Sequence, residues 1–389
     1  MQTPFKVAIV GAGICGLTTA IACQNAGAEV TVFEAAPKLR PLGTAISLWP
    51  NALTCLDKIG LGPQIAALGH PFDRIVTRHP DGTPIMRFDL ADLHAKHGQT
   101  SRCVTRAALH TALLTEVTAD HVKLGAAVEN VSWTQDDATM TMADGTMHSA
   151  DLVVVADGLN SRLRAQVAGP DTLRPAGYGA VLGLAPMWRT PPGWGAGAEA
   201  CEYYGPNGRF GVIRSDINQT YWFFVSKAVP PATRAVPVDP AWLMDQLRDW
   251  PAFARELVVA TPQDQMPQVA LNDHAPAKHW GNGRVLLAGD TAHPMLPNFG
   301  QGANQAIEDA YAIGLGLERG KAGLDLAQFY SDMRKRKADG IVKQNRQNGQ
   351  MTQQEGRFGQ LIRNAVMRMM PQRVVTAQLD RHFTVSPPT

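Results

Sequence analysis

No run of about 18 consecutive apolar residues occurs in this chain of 389 residues, so no membrane-spanning helix is expected. The N-terminus has neither a basic segment nor a small-residue cleavage pattern and goes directly into a strand-like stretch, so the expected location is the cytoplasm. Cysteines are few: Cys15, Cys23, Cys55, Cys103 and Cys201 are odd in number and form no CxxC pair. That argues against a disulfide framework and a zinc site, and no metal is expected. An excess of one charge is also missing. With 36 Lys and Arg against 34 Asp and Glu the formal charge is +2, which offers no footprint for nucleic acid. No internal repeat or low-complexity segment is present. What remains is a globular chain, 45% apolar and 18% charged, long enough for two or three domains at roughly 150 residues each, and a monomer or homodimer.

The first positive signal is Lys6 to Val10, a short β-branched run that leads into Gly11-Ala12-Gly13-Ile14-Cys15-Gly16. Leu17 to Asn25 has helical character, Gly27 ends it, and Glu29 to Phe33 returns to a strand finishing at Glu34. In this strand-turn-helix-strand order Gly11, Gly13 and Gly16 serve a tight turn, close approach of a pyrophosphate and helix packing. Glu34, followed by Ala35, stands where an acidic side chain holds ribose hydroxyls. Cys15 and Cys23 read as small buried residues. A second glycine cluster, Gly193 to Gly197, follows a Pro-Pro pair with no strand before it and reads as a loop.

The second signal is Val285 to Ala310. An apolar strand ends in Gly289-Asp290, placing a carboxylate at its carboxyl edge, where ligands of open α/β sheets bind. Pro294 and Pro297 stiffen the loop that follows, Gly300 and Gly302 loosen it, and Ala303 to Leu317 reads as a helix. Free amides of Gly300, Gln301, Gly302, Ala303 and Asn304 then lie at a helix N-terminus, suited to an anion or to a ring that becomes anionic on reduction.

Between these signals, Thr44 to Gly62 begins as a strand and becomes a helix after Pro50, and Phe72 to Leu90 alternates around a turn at Asp81-Gly82 like a hairpin. Val104 to Leu113 is predicted helical with Arg106 in its first turn, either solvated or reaching a pyrophosphate. Val128 to Trp133 pairs with Ala138 to Met142. The buried strand before Asp157-Gly158 repeats the carboxylate ending, and a helix is expected from about Asn160. From Gly177 to about Val269 strands, aromatics and prolines dominate, with Trp222, Phe223 and Phe224 read mainly as core and Pro230 to Pro240 as a loop. After Asp325 the chain is helical and polar, and Arg334-Lys335-Arg336-Lys337 is read as a solvated face.

With GAGICG, Val104-x-Arg106-x-x-Leu109, Asp157-Gly158 and Gly289-Asp290 plus GQGAN in this order, the chain resembles the group A flavoprotein aromatic hydroxylases of the para-hydroxybenzoate hydroxylase fold. The resemblance covers Lys6 to Arg336. It implies an α/β fold: a Rossmann-like FAD-binding domain (1–72, 100–176 and 270–324), an inserted, mostly antiparallel substrate domain (73–99 and 177–269) and C-terminal helices (325–389). It also implies non-covalent FAD, with NADH or NADPH, O2 and a small aromatic or heteroaromatic substrate, and hydroxylation through C4a-hydroperoxyflavin. Gly11, Gly13, Gly16, Glu34, Ala35 and Val128 would take the ADP half, with Arg106 and Asp290 near the diphosphate and ribityl chain. Asp157 and Gly158 are associated with both FAD and the nicotinamide cofactor, and Pro297 and Gly300 to Asn304 would lie at the isoalloxazine. By the same resemblance Arg209 and Tyr221 would act on the substrate, Tyr221 as proton acceptor or orienter, with Ser47, Trp49, Phe223, Asn298 and Phe299 around it.

The length and the WPNA stretch are similar to the urate, salicylate and 6-hydroxynicotinate hydroxylases. The chain departs from them where Gly302-Ala303-Asn304 replaces Gly-Gly-Cys and Ser47 replaces His, so urate is not implied as the substrate. Other readings are an oxidoreductase or epoxidase of the same fold, a dehydrogenase, which leaves both rear Asp motifs unexplained, and a non-catalytic FAD-binding interaction protein. A halogenase would carry WxWxIP, which is missing.

Overall fold

Val7, Ile9 and Val10 are buried in a strand, Lys6–Val10, that pairs in parallel with Glu29–Glu34 on one side and Leu152–Val155 on the other. Leu152–Val155 is apolar and buried throughout, and Glu29–Glu34 buries Val30, Val32 and Phe33. Val285–Leu287 joins in parallel beside Leu152–Val155, and Val122–Leu124 beside Glu29–Glu34. Gly281–Asn282 closes the far edge antiparallel, giving six strands. The glycine turn and the ends before Asp157 and Asp290 therefore stand side by side along one carboxyl edge. This computed structural model describes residues 4–386 except 40–43, 189, 192, 195–197, 231–234 and 355. The end of the Gly193 to Gly197 loop (195–197) and part of the Pro230 to Pro240 loop (231–234) lie outside the described residues.

The second sheet has eight strands, with Arg74–Arg78 and Pro84–Asp89 at one edge. Its centre is Arg174–Ala185, Gln219–Ser226, Gly208–Asp216 and Glu199–Gly205. Period-two alternation gives this sheet two different faces. Phe210, Val212, Trp222 and Phe224 are fully buried against Leu243, Trp250, Phe253 and Leu257 of the two helices Pro240–Gln246 and Ala252–Ala260 and the turn between them. Arg209, Gly211, Ile213, Tyr221 and Phe223 share the opposite face. Of the three consecutive aromatics, expected mainly as core, Trp222 and Phe224 are core and Phe223 faces the other side of the sheet. Its ring lies across the neighbouring strand, where a Cβ on Gly211 would stand 2.0 Å from it, so only glycine fits opposite.

The helix Gly302–Glu318 runs between Ile14–Asn25 and the long helix Gly323–Thr352. Two of its carboxylates, Glu308 and Asp309, are buried, and their cation is Arg334. Arg334 donates to Asp309 Oδ1 at 2.9 Å, to Glu308 Oε2 at 2.5 Å and to Gln305 Oε1 at 2.7 Å. Lys337 Nζ is 2.6 Å from Glu308 Oε1. The basic run is thus not the solvated face expected from its composition: Arg334 is 0% exposed, Lys337 is largely enclosed, and Arg336 alone of the four is exposed. Burial opposes the charge on Arg334, but Glu308 and Asp309 outweigh it and hold the guanidinium above its usual range.

Smaller differences have local causes. Val104 and Thr105 belong to the strand Arg102–Thr105, and the helix starts at Arg106 because the Thr105 side chain accepts from the Ala108 amide. Beyond Asp157 only one helical turn forms, Arg164–Ala168, since Arg164 turns inward to Asp171 and to the carbonyl of Ala292.

The C-terminal helices Arg357–Met369 and Gln372–Phe383 fold back over the cavity face of the second sheet. Phe383 stacks on Trp49 at 5.4 Å. His382 is buried, bonded to Gln344 Oε1 and edge-on to Phe299, and burial beside Lys337 and Arg381 pulls its pKa from 6.5 down to about 4.

Two predictions follow from this packing. Arg334→Met leaves Glu308 and Asp309 buried without their main partner, so urea unfolding should show a loss of about 3–5 kcal/mol. Arg336→Met on the exposed side should change stability by no more than about 0.5 kcal/mol, and equal effects in the two variants would refute the buried cluster. For His382 the unfolded chain takes up its proton near pH 6.5 and the folded chain only near 4. Stability is therefore lost as pH falls across that window. The melting temperature of His382→Gln should fall less steeply over the same range, and parallel curves would remove His382 as the cause.

Candidate active site

At the carboxyl edge of the six-stranded sheet, Gly11 (φ +102) brings the chain so close to the next strand that a Cβ would lie 2.6 Å from the Ala156 carbonyl. Beyond Gly13 a Cβ would meet nothing within 4 Å, and the helix Ile14–Asn25 starts there without a side-chain cap, leaving its first amides open to the cleft. Glu34 is held in place by the amides of Ala12 and Ala36, each 2.8 Å from one carboxylate oxygen. A cavity of about 380 Å³ follows, lined by Gly11, Gly13, Glu34, Ala35, Arg106, Val128, Asp157, Gly158, Asp290, Gly302 and Ala303. Gly16 stays behind the turn, where a Cβ would strike the Gly11 carbonyl at 1.9 Å. Arg106 is exposed, its amide donates to the Thr44 carbonyl at 3.1 Å, and its side chain makes no hydrogen bond among the described residues.

The two strand-end carboxylates differ. Asp157 Oδ1 accepts from the Thr291 hydroxyl at 3.1 Å, and that hydroxyl accepts from the Gly158 amide at 2.9 Å, which cross-links the two strand ends. Burial pushes the Asp157 carboxyl up, against the hydrogen bonds of Ser161 and Thr291. Asp290 opens onto the cleft and is reached by solvent, yet the protein wall around it raises its carboxyl, with His293 and Arg106 pulling the other way.

A second cavity, about 480 Å³, meets the first at Arg106, Asp290, Gly302 and Ala303. Gly300 (φ +60) turns the chain after Pro297–Phe299, and the helix then begins at Gly302 with its free amides at the junction of the two cavities. Asn304 holds this start in place: its side chain accepts from the Trp49 amide at 2.8 Å and donates to the carbonyls of Ser47 and Gly300 at 2.9 and 2.8 Å. Gln301 is buried with its side chain bonded to Asn51 and Gln305. Ser47, Trp49, Phe223, Asn298 and Phe299 all line the cavity.

Arg209 and Tyr221 line it too. Tyr221 lies opposite Ile213, so the two positions are about 13 Å apart along the strands at 3.3 Å per residue, with Phe223 between them. Arg209 is no hairpin-tip surface residue. It is 3% exposed, donates to Glu202 at 3.2 Å and to Asn298 at 2.9 Å, and keeps a buried Nε without a partner. Burial opposes its charge, but Glu202 and the tyrosines 204 and 178 raise its pKa. Asn298 is itself engaged, donating to Tyr178 Oη and to the Asn345 carbonyl. Burial pushes the Tyr221 phenol well above its ordinary range, so it carries its proton at neutral pH.

Sequence reasoning missed Glu202, which neutralises Arg209, and the wall supplied by Met351 at the end of the long helix Gly323–Thr352 and by Met367, Met370, Leu379 and Phe383 of the segment after it. An amphipathic pattern from Phe358 onward was readable as a helix, but nothing local shows that one of its faces turns to the cavity.

The free amides at two helix starts, the ribose-height carboxylate of Glu34, unpaired Arg106 and a long two-chambered cleft are a donor set that fits a flavin dinucleotide. The comparisons agree. The model of the FAD binding domain family matches residues 4–345. The chain is 33% identical to aurachin C monooxygenase/isomerase of Stigmatella aurantiaca over 100% of both chains, and 32% identical to FAD-dependent urate hydroxylase of Klebsiella pneumoniae over 79% of this chain and 80% of the other. In three dimensions it is similar to Klebsiella pneumoniae HpxO complexed with FAD and uric acid, with a TM-score of 0.88, 26% identity and coverage of 100% of this chain and 98% of that one. The chain belongs to the FAD binding domain family and is a FAD-dependent monooxygenase of the aromatic hydroxylase type.

Proposed function

We propose that the protein hydroxylates a small aromatic or heteroaromatic ring, using NADH or NADPH and O2. A ring C–H becomes C–OH, one oxygen atom leaves as water and the nicotinamide is oxidised. The observation that carries this reading is the meeting of two cavities at the amides of Gly302 and Ala303, one lined by nucleotide-binding features and the other by aromatic and aliphatic side chains. Bound FAD supplies the redox chemistry: it takes electrons from the nicotinamide and activates oxygen.

The protein's own residues bind, orient and exclude water. Gly11, Gly13 and Gly16 shape the pyrophosphate turn, Glu34 with Ala35 and Val128 holds the adenosine end, and Arg106 approaches the phosphates. Asp290 and Asp157-Gly158 would hold the middle of the cofactor, and Pro297 with Gly300 to Asn304 would hold its ring. The helix start at Gly302 favours negative charge there. In the second cavity Arg209 acts as an oriented hydrogen-bond donor whose charge Glu202 already balances, and the Tyr221 hydroxyl orients the ring from the other side of Phe223. That balance favours a neutral ring bearing a carbonyl or hydroxyl over a free carboxylate. Trp49, Phe299 and the C-terminal helices close the chamber against water, which protects the reaction from loss as peroxide.

The purified protein should carry about one FAD per chain, released on denaturation. Glu34→Lys and Asp290→Ala should each lower FAD occupancy. Arg106→Ala should weaken FAD binding by about 1.5–3 kcal/mol, the range for a hydrogen bond to a charged group. Full occupancy in all three would move the nucleotide site elsewhere.

For the substrate, Arg209→Ala should lower affinity by about 1.5–3 kcal/mol while FAD stays bound. Tyr221→Phe should keep most of the affinity but yield H2O2 in place of product. The readout is product formed per NAD(P)H oxidised against a panel of phenols, pyridines, quinolines and purines, with peroxide assayed alongside. Wild-type coupling and affinity in both variants would sink this arrangement.

A further inference from the structure

Twelve large hydrophobic side chains are exposed among the described residues, and six of them fall within 17 residues of one another. Phe358 (77% exposed), Leu361, Ile362, Val366 and Met369 (74%) lie on the helix Arg357–Met369, and Val374 begins the next helix. At 100° per residue the first five occupy one continuous face. The opposite face is accounted for. Met367 packs with Ile85 and Tyr204, and Arg363 is buried with its guanidinium 4.6 Å above the Tyr204 ring. The helix is therefore held in one orientation by its inner side, and its apolar outer side is covered by no described residue to any large extent.

The exposed charge along the segment itself has one sign. From Gly356 to Leu379, just after Glu355, the sequence holds four arginines, of which Arg363 is buried, and no aspartate or glutamate. Arg368 and Arg373 are exposed beside the apolar face. The next acid along the chain, Asp380, is already tied to Lys96 and His97. A second copy of the chain laid on the same face would bring arginines together with no carboxylate from the segment to answer them. An apolar helical face bordered by arginines matches instead the boundary between anionic headgroups and acyl chains. At 13 residues the helix is about 20 Å long, too short to cross a bilayer core. We propose that Arg357–Met369, with the start of Gln372–Phe383, seats the protein flat on an anionic lipid surface. The inner side of the same segment, through Met367 and Met370, is the wall of the second cavity, so seating places that wall at the lipid boundary.

The test is flotation of the full-length, FAD-loaded protein with vesicles of phosphatidylcholine alone or mixed with phosphatidylglycerol. The protein should float with the mixed vesicles, much less with phosphatidylcholine alone, and less again as salt is raised. Phe358→Asp and Met369→Asp should abolish flotation, whereas Met147→Asp, which changes an exposed hydrophobe elsewhere, should not. Arg368→Gln and Arg373→Gln should each lower vesicle affinity about fivefold. All five positions are exposed, so melting temperatures should match the wild type, and the salt and arginine arms decide the matter if an aspartate variant fails to fold. Wild-type protein that stays unbound with both vesicles overturns the proposal. So does a dimer in sedimentation velocity that Phe358→Asp dissociates without any vesicle binding, since the face would then serve a second copy.

Discussion

The paired burial of Arg334 with Glu308 and Asp309 determines where the site can be. Three formal charges out of water are tolerable only if each finds a close partner, and here the partners come from two helices and the end of a strand. Asp309 Oδ2 accepts from the Gly289 amide at 2.9 Å and lies 2.5 Å from His293 Nε2. Burial alone would raise the Asp309 carboxyl, yet His293 and Arg334 hold it below the usual range, so it stays a carboxylate and keeps accepting. One residue pair therefore fixes the helix Gly302–Glu318 to the end of Val285–Leu287, and with it the height at which Gly302 and Ala303 face the cleft.

From that anchor the constraint passes outward through a chain of buried side-chain hydrogen bonds. Glu308 accepts from Asn51, Gln301 from Asn51 and Gln305, and Asn304 ties Gly300 to Ser47 and Trp49. The loop between Gly289 and Gln301 is thus enclosed by bonds at both ends. A flexible Pro-Gly loop would be a poor floor for a flat ring, and this network makes it a rigid one.

Much of this was legible in the sequence where the signal is local. A strand that ends at a glycine turn or at Asp-Gly announces its carboxyl edge within a few residues, and the family resemblance supplied the order of the parts. Arg334 was hidden because a run of four basic residues on a polar helix has the composition of a surface. The clue was elsewhere: Glu308 and Asp309 interrupt a helix that is otherwise apolar at Ala306, Ile307 and Ala310, and two adjacent buried carboxylates need a cation from somewhere. Glu202 was hidden for a different reason. It meets Arg209 only after the strands Glu199–Gly205 and Gly208–Asp216 pair, and that register is a tertiary fact. Alternation alone tells which of Trp222, Phe223 and Phe224 share a face but not which face is inward; the resemblance is what put Phe223 on the cavity side.

The electrostatic contrast between the two cavities is the consequence that matters most for chemistry. On the side of the glycine turn, Arg106 and two helix starts supply positive character beside the carboxylates of Glu34, Asp157 and Asp290. In the second cavity Glu202 already answers Arg209, and the phenol of Tyr221 stays protonated. A ring there would be held by shape, by the plane of Phe223 and by directed hydrogen bonds more than by net charge, so its position would depend on packing. That packing is completed by Met367, Met370, Leu379 and Phe383, the part of the wall contributed by the C-terminal helices.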